Sequence, residues 1–175
     1  MPTEAAPSLR RISESITFFC SQFCPGDVIV KARDWANSRT PASAPEIGGF
    51  HTPVERDVLR ILLRGQAPAI VMLARAAEGW RAPKPLGVAI REAGAAGRAR
   101  ILSPFPATQR RTTVASAARR NRHILTLADP ILIAHASPGG KTEALAKEAL
   151  ARGLTLLTFP SPHNAHLIAL GAELA

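Results

Sequence analysis

The stretch ARRNRHILTLADPILIAHASPGGKT, residues 118–142, decides the fold. It places a basic, helix-forming run before a short apolar segment at 130–134 and a glycine turn at 137–142. A short apolar run between helical segments is typical of a strand that helices bury on both faces of a parallel sheet. A basic helix, a buried strand and a loop of phosphate-binding size together indicate an anion site.

The same alternation continues along the rest of the chain. Short β-branched runs predict strands at 16–20, 46–48, 69–74, 100–102, 131–135 and 154–159, and helical periodicity predicts helices at 25–37, from 52 onward, and at 85–93, 112–128, 143–152 and 164–170. Thr52 is expected to cap its helix, with Pro53 in the first turn. The predicted fold is therefore α/β, a doubly wound, mostly parallel sheet of about six strands in a Rossmann-like three-layer sandwich.

Composition favours one domain that binds a polyanion. A chain of 175 residues, 46% of them hydrophobic, has enough apolar material for a core without disulfides or metal. The formal net charge is +9, and arginine supplies most of the positive charge, which favours bidentate phosphate contacts. Nucleic acid is the leading polyanion. The competing explanation, an arginine- and alanine-rich composition inherited from a GC-rich genome, stays open.

Residues 1–14 form a predicted N-terminal tail ahead of a single domain at 15–175. The tail carries no legible signal peptide, and the sequence contains no stretch of roughly 18 uninterrupted apolar residues. The expectation is a cytoplasmic protein without a membrane partner. Cys20 and Cys24 lack a second pair of ligands at zinc spacing, so they are expected to be free thiols. Neither a metal nor a cofactor is expected.

Polar residues and glycines gather where this class of fold binds ligands, at the carboxyl ends of the strands. Gly48 and Gly49 would let the backbone approach a phosphate closely, although an ordinary tight turn is the alternative. Lys141 and Thr142 would add a charge and a hydroxyl. The candidate phosphate- or nucleic-acid-binding residues are Ser21, Gln22, Gly48, Gly49, His51, Thr52, Arg119, Arg120, Asn121, Arg122, Gly139, Gly140, Lys141, Thr142 and Asn164.

Helix geometry places the basic residues of this helix on different faces. Arg119 and Arg122 are expected to share a face, because residues three apart are neighbours on a helix. Asn121 is expected to point elsewhere and to hydrogen-bond loop backbone near the strand ends. Solvated surface arginines are the alternative. The glycine loop at 137–142 lacks the spacing of a P-loop, so ATP hydrolysis is not expected.

These motifs, in this order, resemble the DNA-processing protein A (DprA/Smf) family. The resemblance runs from about residue 16 to about residue 172 and rests on residues 19–22, 48–51, 103–106, 119–122 and Asn164. It departs from the family at Gln22, where an arginine is expected, and in the glycine loop. It implies a Rossmann-like core that holds the backbone of single-stranded DNA through the matching basic residues, with Lys141 nearby and without catalysis. A role in DNA uptake or recombination, a recombinase partner and a homodimer stay open.

An enzymatic alternative rests on the loop at 137–143. It also resembles the Pro-Gly-Gly-x-Gly-Thr-x-x-Glu loop of the related LOG-type phosphoribohydrolases, and Glu143 would then be the catalytic candidate. The loop lacks the third glycine of that motif and its glutamate comes too early, so binding without catalysis is favoured. A third alternative is a domain that senses a nucleotide, with Gln22 marking the change of ligand.

Overall fold

Strands and helices alternate along the described chain. The computed structural model describes residue 12 and residues 14–175, so most of the tail predicted for 1–14 lies outside the described residues. The strands are β1 (Ile16–Phe19), β2 (Glu46–Gly48), β3 (Ala69–Met72), β4 (Ala99–Leu102), β5 (Ile131–Ile133), β6 (Leu156–Thr158) and β7 (Glu173–Leu174). The α-helices are α1 (Gly26–Ser38), α2 (Pro53–Arg64), α3 (Leu86–Ala95), α4 (Val114–Ile124), α5 (Lys141–Ala151) and α6 (Ala165–Leu170), the last preceded by a 3-10 turn at Pro162–Asn164.

All seven of these strands belong to one sheet. Their order is β4-β3-β2-β1-β5-β6-β7, and every paired neighbour runs parallel. The predicted α/β, doubly wound fold is confirmed, with seven strands rather than about six. The additional strand, β7, consists of two exposed residues that pair with β6. So short a segment carries no periodic apolar pattern, which is why the sequence does not predict it.

Several helix boundaries differ from the predicted ones by a few residues, among them the end of the helix predicted to 128, which ends at Ile124, and two of the helix starts differ for local reasons. The helix predicted at 112–128 begins only at Val114, because Thr113 and Ser116 form a capping box: each side chain accepts a hydrogen bond from the other's backbone N–H, at 3.0 and 2.8 Å. The helix predicted at 143–152 begins at Lys141, after Gly140. Lys141 therefore lies in the first turn of a helix rather than in a loop.

The sheet is buried on both faces, as a three-layer sandwich requires. Ile131, Leu132 and Ile133 of the interior strand β5 are all fully buried. Residues of α4, α5 and α6 pack on one face, and residues of α1, α2 and α3 pack on the other. Among the described helices, none combines the length and the apolar character needed to cross a bilayer.

The winding direction reverses at β1. Strands β2, β3 and β4 extend the sheet from one side of β1, and β5, β6 and β7 extend it from the other. The loops after β1 and β5 therefore diverge toward opposite faces and leave a crevice at the carboxyl ends of these two strands. This topology fixes where a ligand site is expected.

A buried carboxylate lies at the opposite end of the sheet, at the start of β2. Glu46 is fully buried and accepts a hydrogen bond from Nε of Arg39, whose guanidinium lies 5.3 Å from the centre of the Trp35 ring. Its other oxygen, Oε2, has no hydrogen-bond partner in the described part of the chain. Burial raises the pKa of Glu46 to about 7, and Arg39 opposes that rise.

We expect this carboxyl to make stability depend on pH. The pKa of Glu46 is raised on folding, so the folded chain keeps its proton until about pH 7, whereas the unfolded chain loses it near 4.5. The free energy of unfolding should therefore fall as pH rises between those values, by up to about 3 kcal/mol. The Glu46→Gln variant should lack this fall, which urea titrations at pH 4.5 and pH 8 would measure. An identical pH dependence in both proteins would contradict the prediction.

Candidate functional site

A cleft of about 760 Å³ opens at the carboxyl ends of β1 and β5, where the topology predicts it. Its walls come from the loop after β1, the start of α2, the start of α4 and the first turn of α5. Nine of the residues predicted from the sequence line it, namely Ser21, Gln22, His51, Thr52, Arg120, Asn121, Gly140, Lys141 and Thr142. The predicted residues that do not line it are Gly48, Gly49, Arg119, Arg122, Gly139 and Asn164.

The buried carboxylate of Glu55 forms hydrogen bonds with two of the loops at the cleft. Glu55 accepts hydrogen bonds from the backbone N–H groups of Cys20 at 3.0 Å, His51 at 2.8 Å and Thr52 at 3.2 Å. It completes the capping box of α2 with Thr52 and confirms Thr52 as the helix cap. Burial raises the pKa of the Glu55 carboxyl, while these N–H groups and Arg120 oppose the rise. The sequence analysis missed this residue, although the Thr-x-x-Glu spacing is its signal.

Arg120 is an internal residue rather than a surface cation. Its side chain is 4% exposed, and its Nη1 donates to the carbonyl of Met72 at 3.0 Å. Its Nε donates to Oδ1 of Asn121 at 2.6 Å. Burial lowers the pKa of Arg120 to about 10, and the charge of Glu55 opposes that fall. Arg120, predicted from the sequence as a ligand-binding residue, thus lies in the floor of the cleft with its guanidinium engaged by the chain itself.

The glycine turn after β2 makes room for Arg120. A Cβ added to Gly49 would lie 1.9 Å from Nη1 of Arg120, which is far inside van der Waals contact. The next residue, Phe50, is buried and has a positive φ of 52°, a conformation that is strained for a side chain of this size. The close approach that Gly49 permits is therefore made by an arginine of the chain itself.

Asn121 and Asn164 differ from expectation: Asn121 lies at the cleft, and Asn164 is the one that hydrogen-bonds loop backbone. The Asn121 side chain lies at the cleft and bonds Arg120, not loop backbone. Asn164 is fully buried and donates from Nδ2 to the carbonyls of Ala134 at 2.8 Å and Phe159 at 3.1 Å. Its Oδ1 lies 2.9 Å from Nδ1 of His135. Asn164 therefore fixes the loop after β5 from behind the cleft.

The two exposed arginines of α4 contact different neighbours. The guanidinium of Arg119 lies 5.3 Å from the centre of the Phe105 ring, in the loop after β4. Arg122 pairs with Glu148 of α5 at 3.0 Å and lines a groove of about 380 Å³ between α4 and α5. That groove adjoins the cleft through shared lining residues such as Asn121 and Lys141. Both arginines thus lie beside the cleft rather than in it.

Two charged residues at the start of α5, Glu143 and Lys141, differ in their contacts. The carboxylate of Glu143 accepts a hydrogen bond from the N–H of Gly139 at 3.1 Å and pairs with Lys147. Lys147, followed by the Gly139 N–H, holds the pKa of Glu143 below its ordinary value. Lys141 is exposed and has neither an ion-pair nor a hydrogen-bond partner in the described part of the chain. Lys141 is therefore the charge in the cleft that is available to a ligand.

His51 contributes a neutral ring to the cleft. Its pKa is lowered to about 4, first by desolvation and then by the positive charges of Arg120 and Arg56. The imidazole is therefore uncharged near neutral pH, and any contact it makes with a phosphate is a hydrogen bond without a charge. Both cysteines near the cleft, Cys20 and Cys24, are free thiols, as predicted.

The fold belongs to the Rossmann-like class, and solved structures of DNA processing protein A share it. The protein from Streptococcus pneumoniae superposes with a TM-score of 0.76 at 16% identity, over 96% of this chain and 60% of that protein. The protein from Helicobacter pylori gives 0.74 at 15% identity, over 94% and 77%. The Moco carrier protein from Chlamydomonas reinhardtii gives 0.57 at 12% identity, over 93% and 89%.

These likenesses confirm, at the level of the fold, the resemblance to DprA that the motifs indicate. This chain spans about 60% of the length of the S. pneumoniae protein. No protein-family model matches the sequence. No curated protein matches it significantly.

We expect Gly49→Ala to destabilise the protein by about 2 kcal/mol, because the added methyl group displaces a buried guanidinium. Gly26→Ala is the matched control, since a Cβ there meets nothing within 4 Å. That control should stay within about 0.5 kcal/mol of the original protein. Thermal or urea unfolding measures both variants. A Gly49→Ala protein as stable as its control would show that Arg120 does not occupy this position.

Proposed function

We propose that this protein binds single-stranded DNA through phosphate contacts at the cleft between β1 and β5. The observation that carries the proposal is the unpaired, exposed Lys141 in the first turn of α5, at the mouth of a cleft that also holds the hydroxyls of Ser21, Thr52 and Thr142. A lysine and a helix amino terminus both attract anions. The net charge of +9 extends that attraction to a long polyanion.

The structural neighbours support the same ligand. The H. pylori protein is described as having a unique single-stranded DNA binding mode, and its fold covers 94% of this chain. On the same resemblance to DprA we propose a role in DNA uptake or recombination in the cytoplasm, with a recombinase as partner. Self-association into a homodimer is part of the same proposal, and sedimentation of the purified protein tests it.

We expect binding of labelled oligo-dT to weaken steeply with salt, because each phosphate contact adds about −0.7 to the slope of log affinity against log salt concentration. Lys141→Ala should lower the affinity several-fold at low salt and reduce the slope by about one such contact. It should leave the melting temperature nearly unchanged, because the ammonium is exposed and unpaired. Lys141→Arg should retain most of the affinity, since it keeps the charge. Fluorescence anisotropy at several salt concentrations measures all three proteins.

The control for net charge is Lys84→Ala, which removes an exposed lysine before α3 that does not line the cleft. Its affinity should match that of the original protein. An equal loss in Lys84→Ala and Lys141→Ala would mean that charge alone, and not this cleft, attracts the DNA. Binding that does not respond to salt would contradict the phosphate contacts altogether.

We further expect no release of free base when the protein is incubated with nucleoside monophosphates. The carboxylate of Glu143 is engaged by Gly139 and Lys147 and does not line the cleft. Its lowered pKa makes it a poor proton donor near neutral pH. Chromatography of the reaction mixture provides the measurement. Base release that Glu143→Gln abolishes would overturn the binding assignment in favour of a phosphoribohydrolase.

A further inference from the structure

The two most exposed large hydrophobic side chains of the described residues line the same cleft. Phe23 is 83% exposed and Val114 is 70% exposed, and both belong to its lining. The other exposed large hydrophobic residues, Val30, Val88, Ile168 and Leu174, are between 42 and 59% exposed and lie outside it. Single exposed apolar residues are ordinary, but two of them beside polar lining residues point to a ligand with an apolar surface.

The segment that carries Phe23 is anchored on both sides. Before it, the N–H of Ser21 donates to the carbonyl of His135 at 2.9 Å, and the hydroxyl of Ser21 accepts from the N–H of Ser137 at 2.9 Å. After it, Cys24 packs against the core and α1 begins at Gly26. The phenyl ring is therefore presented to the cleft by a fixed turn between β1 and α1.

We propose that Phe23 and Val114 receive a nucleobase, so that the cleft takes a whole nucleotide unit of the strand, with its phosphate at Lys141. This inference rests on the proposed function and names the part of the DNA that enters the site. A base has flat apolar faces that stack on a phenylalanine ring whatever the sequence. Lys141 lies in the same cleft, and its unpaired ammonium favours a ligand that carries an anion as well as an apolar ring. A purely apolar partner would leave this charge without a counterpart.

The other phenylalanines in or near the cleft are less suited to this contact. Phe19 lines the cleft but is only 3% exposed. Phe50, in the turn after β2, is 5% exposed, so its ring is enclosed by the core. Phe105, after β4, has the guanidinium of Arg119 over its ring. These surroundings leave Phe23 as the phenylalanine of the cleft lining with a free face.

The experiment compares oligo-dT with an abasic oligonucleotide of equal length, which has the same phosphates and no bases. The original protein should bind oligo-dT about tenfold more tightly than the abasic strand. Phe23→Ala should remove most of that difference and leave the affinity for the abasic strand unchanged. Phe23→Trp should retain the preference, and its added fluorescence should be quenched by oligo-dT and not by the abasic strand. Val30→Ala, an exposed apolar residue outside the cleft, is the control and should change neither affinity.

Each other outcome overturns the inference in a recognisable way. Equal binding of both strands by the original protein would leave the phosphate site standing and remove the base contact. An equal loss for both strands in Phe23→Ala would assign the ring a structural role. Conversion of a dimer to a monomer by Phe23→Ala, seen in sedimentation, would assign the ring to self-association. Failure of the original protein to bind either strand would overturn the proposed function and this inference with it.

Discussion

The buried carboxylate of Glu55 is the constraint on which the cleft depends. It accepts hydrogen bonds from the end of β1 at Cys20 and from the turn after β2 at His51 and Thr52. A carboxylate without such donors would be costly to bury, and these backbone N–H groups would be equally costly without an acceptor. One side chain therefore sets the spacing of two neighbouring strand ends and the start of α2.

Arg120 extends this arrangement to α4. Its guanidinium reaches across the floor of the cleft to the carbonyl of Met72 at the end of β3 and fills the space that Gly49 leaves open. Burying an arginine carries a desolvation cost, and the charge of Glu55 offsets part of it. By fixing α4 in place, Arg120 also fixes the positions of Val114 and Asn121, which this helix contributes to the cleft wall. The walls of the cleft are thus positioned by two charged groups, Glu55 and Arg120, whose hydrogen bonds are made within the chain.

The fold was predictable because its signals are local. Runs such as 131–133 are apolar and flanked by helical periodicity, and Thr52 before Pro53 is a cap that can be read from spacing alone. The contacts that distinguish the side chains of residues 119–122 from one another were not predictable, because they involve partners distant in sequence. Helix geometry separates Arg120 from Arg119 and Arg122, but the partner of Arg120, Met72, is 48 residues away and is not indicated by any local pattern. The turn that carries Phe23 likewise depends on a partner distant in sequence, since the hydroxyl of Ser21 accepts a hydrogen bond from Ser137 in the loop after β5.

The distribution of charge favours an extended anion over a compact one. Arg120 is enclosed, His51 is neutral near pH 7, and Arg122 is paired with Glu148, so the free positive charge in the cleft itself is concentrated at Lys141. A nucleoside triphosphate gathers several negative charges at one point and calls for several cations or a metal there. A single strand instead spreads one charge over each nucleotide, so a single free lysine in the cleft suits it better than it suits a cluster of charges.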